Sequence, residues 1–219
     1  MILPKNLLKH VVVLISLVIV VFPIPSLASD PAGQLVAFSG EVWISSGHQN
    51  PWRKVTGKEV LYPGYSVRTG RLSAASLRME DESLMRLSQN AEFKVEEVQL
   101  SSFWRRATAL VSGVNRSLRS SYRLISGKLW GRNNNRSLDA QIITTTATIG
   151  IRGTEYMIEA SENASTVSIQ EGVVVAENER GQAIIRSGEQ VVTRAGQAPQ
   201  RSSLVQSSAS VQWLSLIHI

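Results

Sequence analysis

Residues Thr144 to Ile158 read TTTATIGIRGTEYMI. The stretch is rich in Thr and Ile, whose β-branched side chains favour a pleated, half-buried backbone over a helix. Gly150 and Gly153 interrupt it, and glycine weakens a strand unless the backbone must bend or approach a neighbour closely. Arg152 is the sole cation of the run, and Glu155 and Glu159 follow. The stretch is therefore read as strand, glycine kink, strand. Arg152 is expected to be pinned by a carboxylate or by backbone carbonyls, because its five donors form a rigid fork. On that reading, Arg152→Ala destabilises the fold.

Working outward, Thr146 to Tyr156 (TATIGIRGTEY) resembles the signature of the FecR-type domain, an all-β extracytoplasmic module named after a regulator of iron-citrate uptake. The motif residues are Thr148, Gly150, Arg152, Gly153, Thr154 and Glu155. Two other stretches are similar to that family: GEVWISSG (Gly40 to Gly47) with Trp52 after it, and YPGYSVRTGRLSAASLRMEDESLMRL (Tyr62 to Leu87). The resemblance covers roughly Ala32 to Gly196. One departure is that Thr144, Thr145 and Thr146 stand where a proline often precedes the family's Thr-Ala. The resemblance implies signal sensing through protein contacts. The family's namesake also carries a cytoplasmic segment that acts on a sigma factor. Here ten residues precede the first apolar run, which argues against such a segment.

Short strands recur on both sides of the signature. Before it, Gln34 to Phe38, Glu41 to Ile44, Trp52 to Thr56, Ser66 to Thr69, Ala75 to Met79, Leu84 to Leu87 and Glu92 to Val95 alternate with turns. Leu77 and Met79 fall on one face, and Ser76 and Arg78 on the other. Asp81 to Ser83 reads as a hairpin turn. After it, Thr166 to Ile169, Val173 to Ala176, Ala183 to Arg186 and Gln190 to Thr193 form a meander. The expected fold is all-β, with stacked short strands in a β-solenoid-like or sandwich arrangement.

One segment breaks the pattern. From Leu100 to about residue 121, apolar residues recur mostly at i, i+3, i+4 and i+7, which predicts a basic amphipathic helical insert. Val98 to Leu138 holds eight cations and no acid, within a chain of net charge +6. Arg105, Arg106, Arg116, Arg119 and Arg123 are the candidates for binding a partner or an anionic membrane surface. A cover helix with solvated arginines is the plainer reading. From Tyr122, the chain is expected to return to the sheet, followed by a polar loop at Gly131 to Ser137.

The ends carry separate expectations. Residues 1–28 read as a signal peptide: Lys5, Lys9 and His10, then an apolar run from Val11 to Phe22, then Ser26-Leu27-Ala28 as a cleavage site. The run is short of the ~20 residues of a spanning helix; retention as an inner-membrane anchor is the alternative. Residues 197–213 read as a linker. Leu214 to Ile219 (LSLIHI) can be written in codons that match a sequencing adapter, so an artefact at the edge of a truncated fragment is expected there.

Catalytic chemistry finds little support. The histidines, His10, His48 and His218, lie far apart in the sequence, there is no cysteine, and no G-x-S-x-G elbow occurs. Gly150 to Gly153 formally matches a GxxG nucleic-acid loop, but its β-branched flanks do not fit one. The expectation is an exported, non-enzymatic binding or scaffolding module of the cell envelope, periplasmic or extracellular, with a protein partner and without cofactor, metal or nucleic acid. The alternatives are a membrane-anchored signal-transduction component and an envelope glycan-binding protein using exposed Trp43, Trp52 or Trp130.

Overall fold

The computed structural model describes residues 30–47, 50–96, 120–133 and 140–202. In chain order they form β1 (Gly33–Ser39), β2 (Val42–Ser45), β3 (Arg53–Lys54), β4 (Glu59–Leu61), β5 (Ser66–Thr69), β6 (Ala74–Met79), β7 (Leu84–Leu87) and β8 (Glu92–Val95). Then follow β9 (Ser120–Arg132), β10 (Ala140–Ile143), β11 (Thr148–Ile151), β12 (Glu155–Ala160), β13 (Ala164–Glu171), β14 (Val173–Asn178), β15 (Gly181–Arg186), β16 (Gln190–Arg194) and β17 (Gln200–Ser202). The described residues contain no helix. None is therefore long and apolar enough to cross a membrane.

The strand pairings resolve into two sheets. Sheet 1 runs β4-β1-β6-β7-β9-β12-β13-β16-β17. Sheet 2 runs β3-β2-β5-β8-β9-β10-β11-β14-β15. From β5 onward the chain mostly places two consecutive strands in one sheet and then crosses to the other. Inward side chains from both sheets merge in a single hydrophobic core. Leu77, Leu129, Ile158 and Val191 come from sheet 1, and Val67, Phe93, Ile142 and Ile185 from sheet 2. The period-2 alternation explains this: in β6, Ala75, Leu77 and Met79 are buried while Arg78 is exposed.

The two sheets share β9. Its first half pairs with β8 and, in parallel, with β10; its second half pairs with β7 and β12. Gly127 marks the passage, with φ of 88°. A Cβ there would lie 2.5 Å from the Ala91 Cα, so backbone conformation and close approach both require glycine. Four residues on, a Cβ at Gly131 would lie 2.2 Å from the Tyr156 ring. That absent side chain is what lets Tyr156 fill the core.

Two expectations are corrected. The helical insert cannot extend to residue 121, because Ser120 and Ser121 already belong to β9, where pairing with Ala140 and Gln141 of β10 places them in sheet 2. The rest of the insert lies outside the described residues, as do the leader, His48 and the C-terminal tail. Residues 197–213 are not wholly linker: Gln200–Ser202 forms β17, whose backbone pairs with β16. Its three residues are all exposed, so no apolar period announces it. β4, a strand of three residues at the edge of sheet 1, also escapes pattern reading for its brevity.

Candidate interaction surface

The signature spans the corner between the sheets. β11 lies in sheet 2, the bend at Arg152 and Gly153 turns the chain, and β12 lies in sheet 1. Gly153 has φ of 57°, a left-handed conformation that glycine adopts without strain. Thr154 is buried, and its carbonyl accepts a 2.9 Å bond from the Asn133 amide. Thr148 and Gly150 sit on the outer face of sheet 2, opposite Glu177 and Val175 of β14. Arg152 is exposed in the bend.

A buried polar cluster adjoins this corner. The Tyr122 hydroxyl donates to Oδ2 of Asp81, and the Ser83 amide donates to Oδ1 at 3.0 Å. Asn133 Nδ2 donates to Ser83 Oγ at 3.0 Å. Burial, reinforced by the Asp81 charge, pushes the Tyr122 hydroxyl well above its ordinary value; the same two causes raise Tyr156. Both phenols stay neutral, so the cluster acts as a lock rather than as an acid–base site.

At the opposite end of the signature lies an open cleft of about 410 Å³ lined by Thr144 to Thr148, Glu177 to Arg180, Ala195 and Gly196. The hydroxyls of Thr144, Thr145 and Thr146 are already engaged. Thr146 Oγ1 donates to Ser165 Oγ at 2.9 Å and lies 2.7 Å from Thr193 Oγ1, while Thr144 Oγ1 bonds the Ala147 carbonyl at 3.0 Å. Glu177 is pushed up by burial. The described residues contain no histidine to serve as a base and no group of acids or histidines able to hold a metal ion. The cleft offers hydrogen-bonding groups but no activated nucleophile.

The outer face of sheet 1 carries a different chemistry. Trp130 points outward from β9 yet is 8% exposed. The guanidiniums of Arg86 and Arg132 cover its ring at 5.4 and 5.7 Å from the centroid. Glu155 of the signature completes the cluster: it accepts from Trp130 Nε1 at 3.2 Å and from Arg132 Nε at 2.9 Å. Register explains the grouping, since Arg86 is opposite Trp130, and Arg132 is opposite both Leu84 and Glu155.

The remaining candidates fall as follows. Arg105, Arg106, Arg116 and Arg119 lie outside the described residues. Arg123 lies in β9, within the segment expected to return to the sheet from Tyr122, and its guanidinium bonds Glu96, which also takes a 2.8 Å bond from Lys94. Burial alone would raise the Glu96 carboxyl, but these two cations outweigh it and hold it below the ordinary range. Trp43 and Trp52 are half-buried, the latter beneath Arg68 at 4.2 Å. Of the three tryptophans named for glycan binding, Trp130 is covered by Arg86 and Arg132, and Trp52 has Arg68 over its ring. Pattern reading missed Arg86 and Arg132. Their one signal was position: both share a face parity with an outward tryptophan or an exposed leucine.

Two solved structures share this fold. One is a crystal structure, at 1.65 Å resolution, of a "putative anti-sigma factor" from Parabacteroides distasonis, with TM-score 0.52 and 10% identity, covering 68% of this chain and 64% of that one. The other, at 2.50 Å and described in the same words, gives TM-score 0.51 and 11% identity over 70% of this chain and 71% of that one. No curated protein matches the chain. The model of the family described as FecR protein matches residues 65–175, from Tyr65 before β5 to Val175 in β14. That span takes in the shared strand β9, the signature corner and the arginine–tryptophan face, and the chain belongs to the FecR protein family.

Proposed function

We propose that this protein is a non-enzymatic, signal-regulating module of the cell envelope that works by binding another protein. One observation carries the reading: the outer face of sheet 1, where Glu155 of the signature organises Trp130 and Arg132 into a rigid, charged and aromatic surface. Rigid arginine and tryptophan side chains are the residues that protein interfaces favour, because little conformational entropy is lost when they dock. Membership of the FecR family and a fold shared with proteins described as anti-sigma factors support a place in signalling. Residues 1–28 would direct the chain to the envelope, as a cleaved leader or as an anchor.

The test is site-specific photo-crosslinking in the native host. A photoreactive residue at Gln34, exposed on the outer face of sheet 1, is compared with one at Gln182, exposed on the edge strand of sheet 2. A discrete crosslinked envelope protein from Gln34 and none from Gln182 is expected. Equal labelling from both positions would sink the reading. Transcript profiling of a deletion strain then separates signalling, which changes a defined set of transcripts, from scaffolding, which does not.

A further inference from the structure

We propose that Arg78 and Arg86, with Arg132, form a docking patch around Leu84 for an acidic segment of the partner protein. The inference rests on the binding-module reading and adds the chemistry of the partner. Register sets the patch. Val60, Gln34, Arg78, Leu84 and Arg132 lie opposite one another in a single row across β4, β1, β6, β7 and β9. Ser76, Arg86 and Trp130 form the next row. All point away from the core, because the alternate positions Leu77, Met79, Met85, Leu87 and Leu129 are buried.

Charge on this face is unbalanced. Arg132 is bonded to Glu155, and Lys128 reaches Glu159 at 3.1 Å. The guanidiniums of Arg78 and Arg86 make no ion pair or hydrogen bond among the described residues. Stacking over Trp130 orients the Arg86 guanidinium without neutralising it. Glu80 and Glu82, the nearest acids in sequence, sit in the hairpin turn beyond the row. Two guanidinium forks thus stand ready for carboxylates, which they bind bidentately. Between and beside them, Leu84 is 44% exposed and Val60 is 41% exposed. A complementary occupant carries Asp or Glu on either side of an apolar residue.

The test uses the full-length protein and a fluorescent peptide of sequence EELDELDELEE. Its Gln/Asn counterpart and vesicles of equal phosphatidylglycerol and phosphatidylcholine serve as further probes. The variants are Arg78→Glu/Arg86→Glu and, with identical net charge, Arg105→Glu/Arg106→Glu in the basic segment. The first pair is expected to weaken acidic-peptide binding about tenfold or more while the second does not. The Gln/Asn peptide should bind weakly to every form. Arg78→Ser, at an exposed side chain, provides a single change that leaves the melting temperature unaltered and still weakens binding. Equal loss from both pairs, loss from the second pair alone, or arginine-dependent binding to vesicles but not to peptide would each overturn the proposal. If Gln34 crosslinks a partner while Arg78→Glu/Arg86→Glu keeps its peptide affinity, the acidic chemistry fails and the module reading stands. Arginine-dependent peptide binding without any crosslink gives the converse.

Discussion

The Tyr122 hydroxyl donates a 2.9 Å hydrogen bond to Oδ2 of Asp81, reaching from the first half of β9 in sheet 2 to the β6–β7 turn of sheet 1. Asp81 is 3% exposed and Tyr122 is 2% exposed, so neither group has water as a substitute. Tyr122→Phe leaves the carboxylate oxygen without this donor and should cost about 2 kcal/mol, read from urea denaturation. An unchanged midpoint would show that the bond is replaced.

Gly127 permits β9 to pass between the sheets. Gly127→Ala asks an L-residue to hold φ of 88° and places a methyl 2.5 Å from the Ala91 backbone. Destabilisation of about 3 kcal/mol or more is expected, because backbone cannot yield as a flexible side chain can. Loss of the cooperative unfolding transition in circular dichroism would be the observed sign.

Glu155 links the signature to the outer face through Arg132 and Trp130. A double-mutant cycle of Glu155→Ala and Arg132→Ala should return a coupling of about 0.5–1 kcal/mol, the scale of a partly exposed ion pair. A coupling near zero would mean that the carboxylate serves Trp130 alone.

Two glutamates should bend the pH profile in opposite senses. Glu96 is held below the ordinary value of 4.5 by Lys94 and Arg123, against the cost of burial. Its contribution is complete above that value and is lost as pH falls through the lower folded one. Glu177 is raised above 4.5 by burial, so the folded state binds its proton more tightly. Its contribution is present below 4.5, is lost as pH rises through the folded value, and leaves a penalty at neutral pH. Glu177→Gln should therefore raise the melting temperature at neutral pH and give no gain well below 4.5; Glu96→Gln should lower it at neutral pH. The reverse pattern would contradict these assignments.

Leu72 is 80% exposed and holds φ of 54° in the turn between β5 and β6. A leucine in the left-handed region costs about 1–2 kcal/mol, whereas asparagine tolerates it. Leu72→Asn should stabilise the fold by about 0.5–1 kcal/mol, measured by thermal unfolding. A loss would show that the exposed side chain has a packing role.

Much of this protein follows from its sequence alone. Alternation such as Leu77 and Met79 against Ser76 and Arg78 has a period of two residues. It therefore declares strand, inner face and outer face without knowledge of any partner. The glycines of the signature likewise announce a bend, and the structure puts the sheet-to-sheet corner there. Which strands meet is a different matter. Arg86 finds Trp130 across 44 residues of sequence only because β7 pairs with β9, and Asp81 finds Tyr122 only because β9 serves both sheets. Those registers are set by the sum of many cross-strand contacts around one shared core. No local pattern contains that sum, so the basic face, the polar lock and the passage at Gly127 were decided by the tertiary structure.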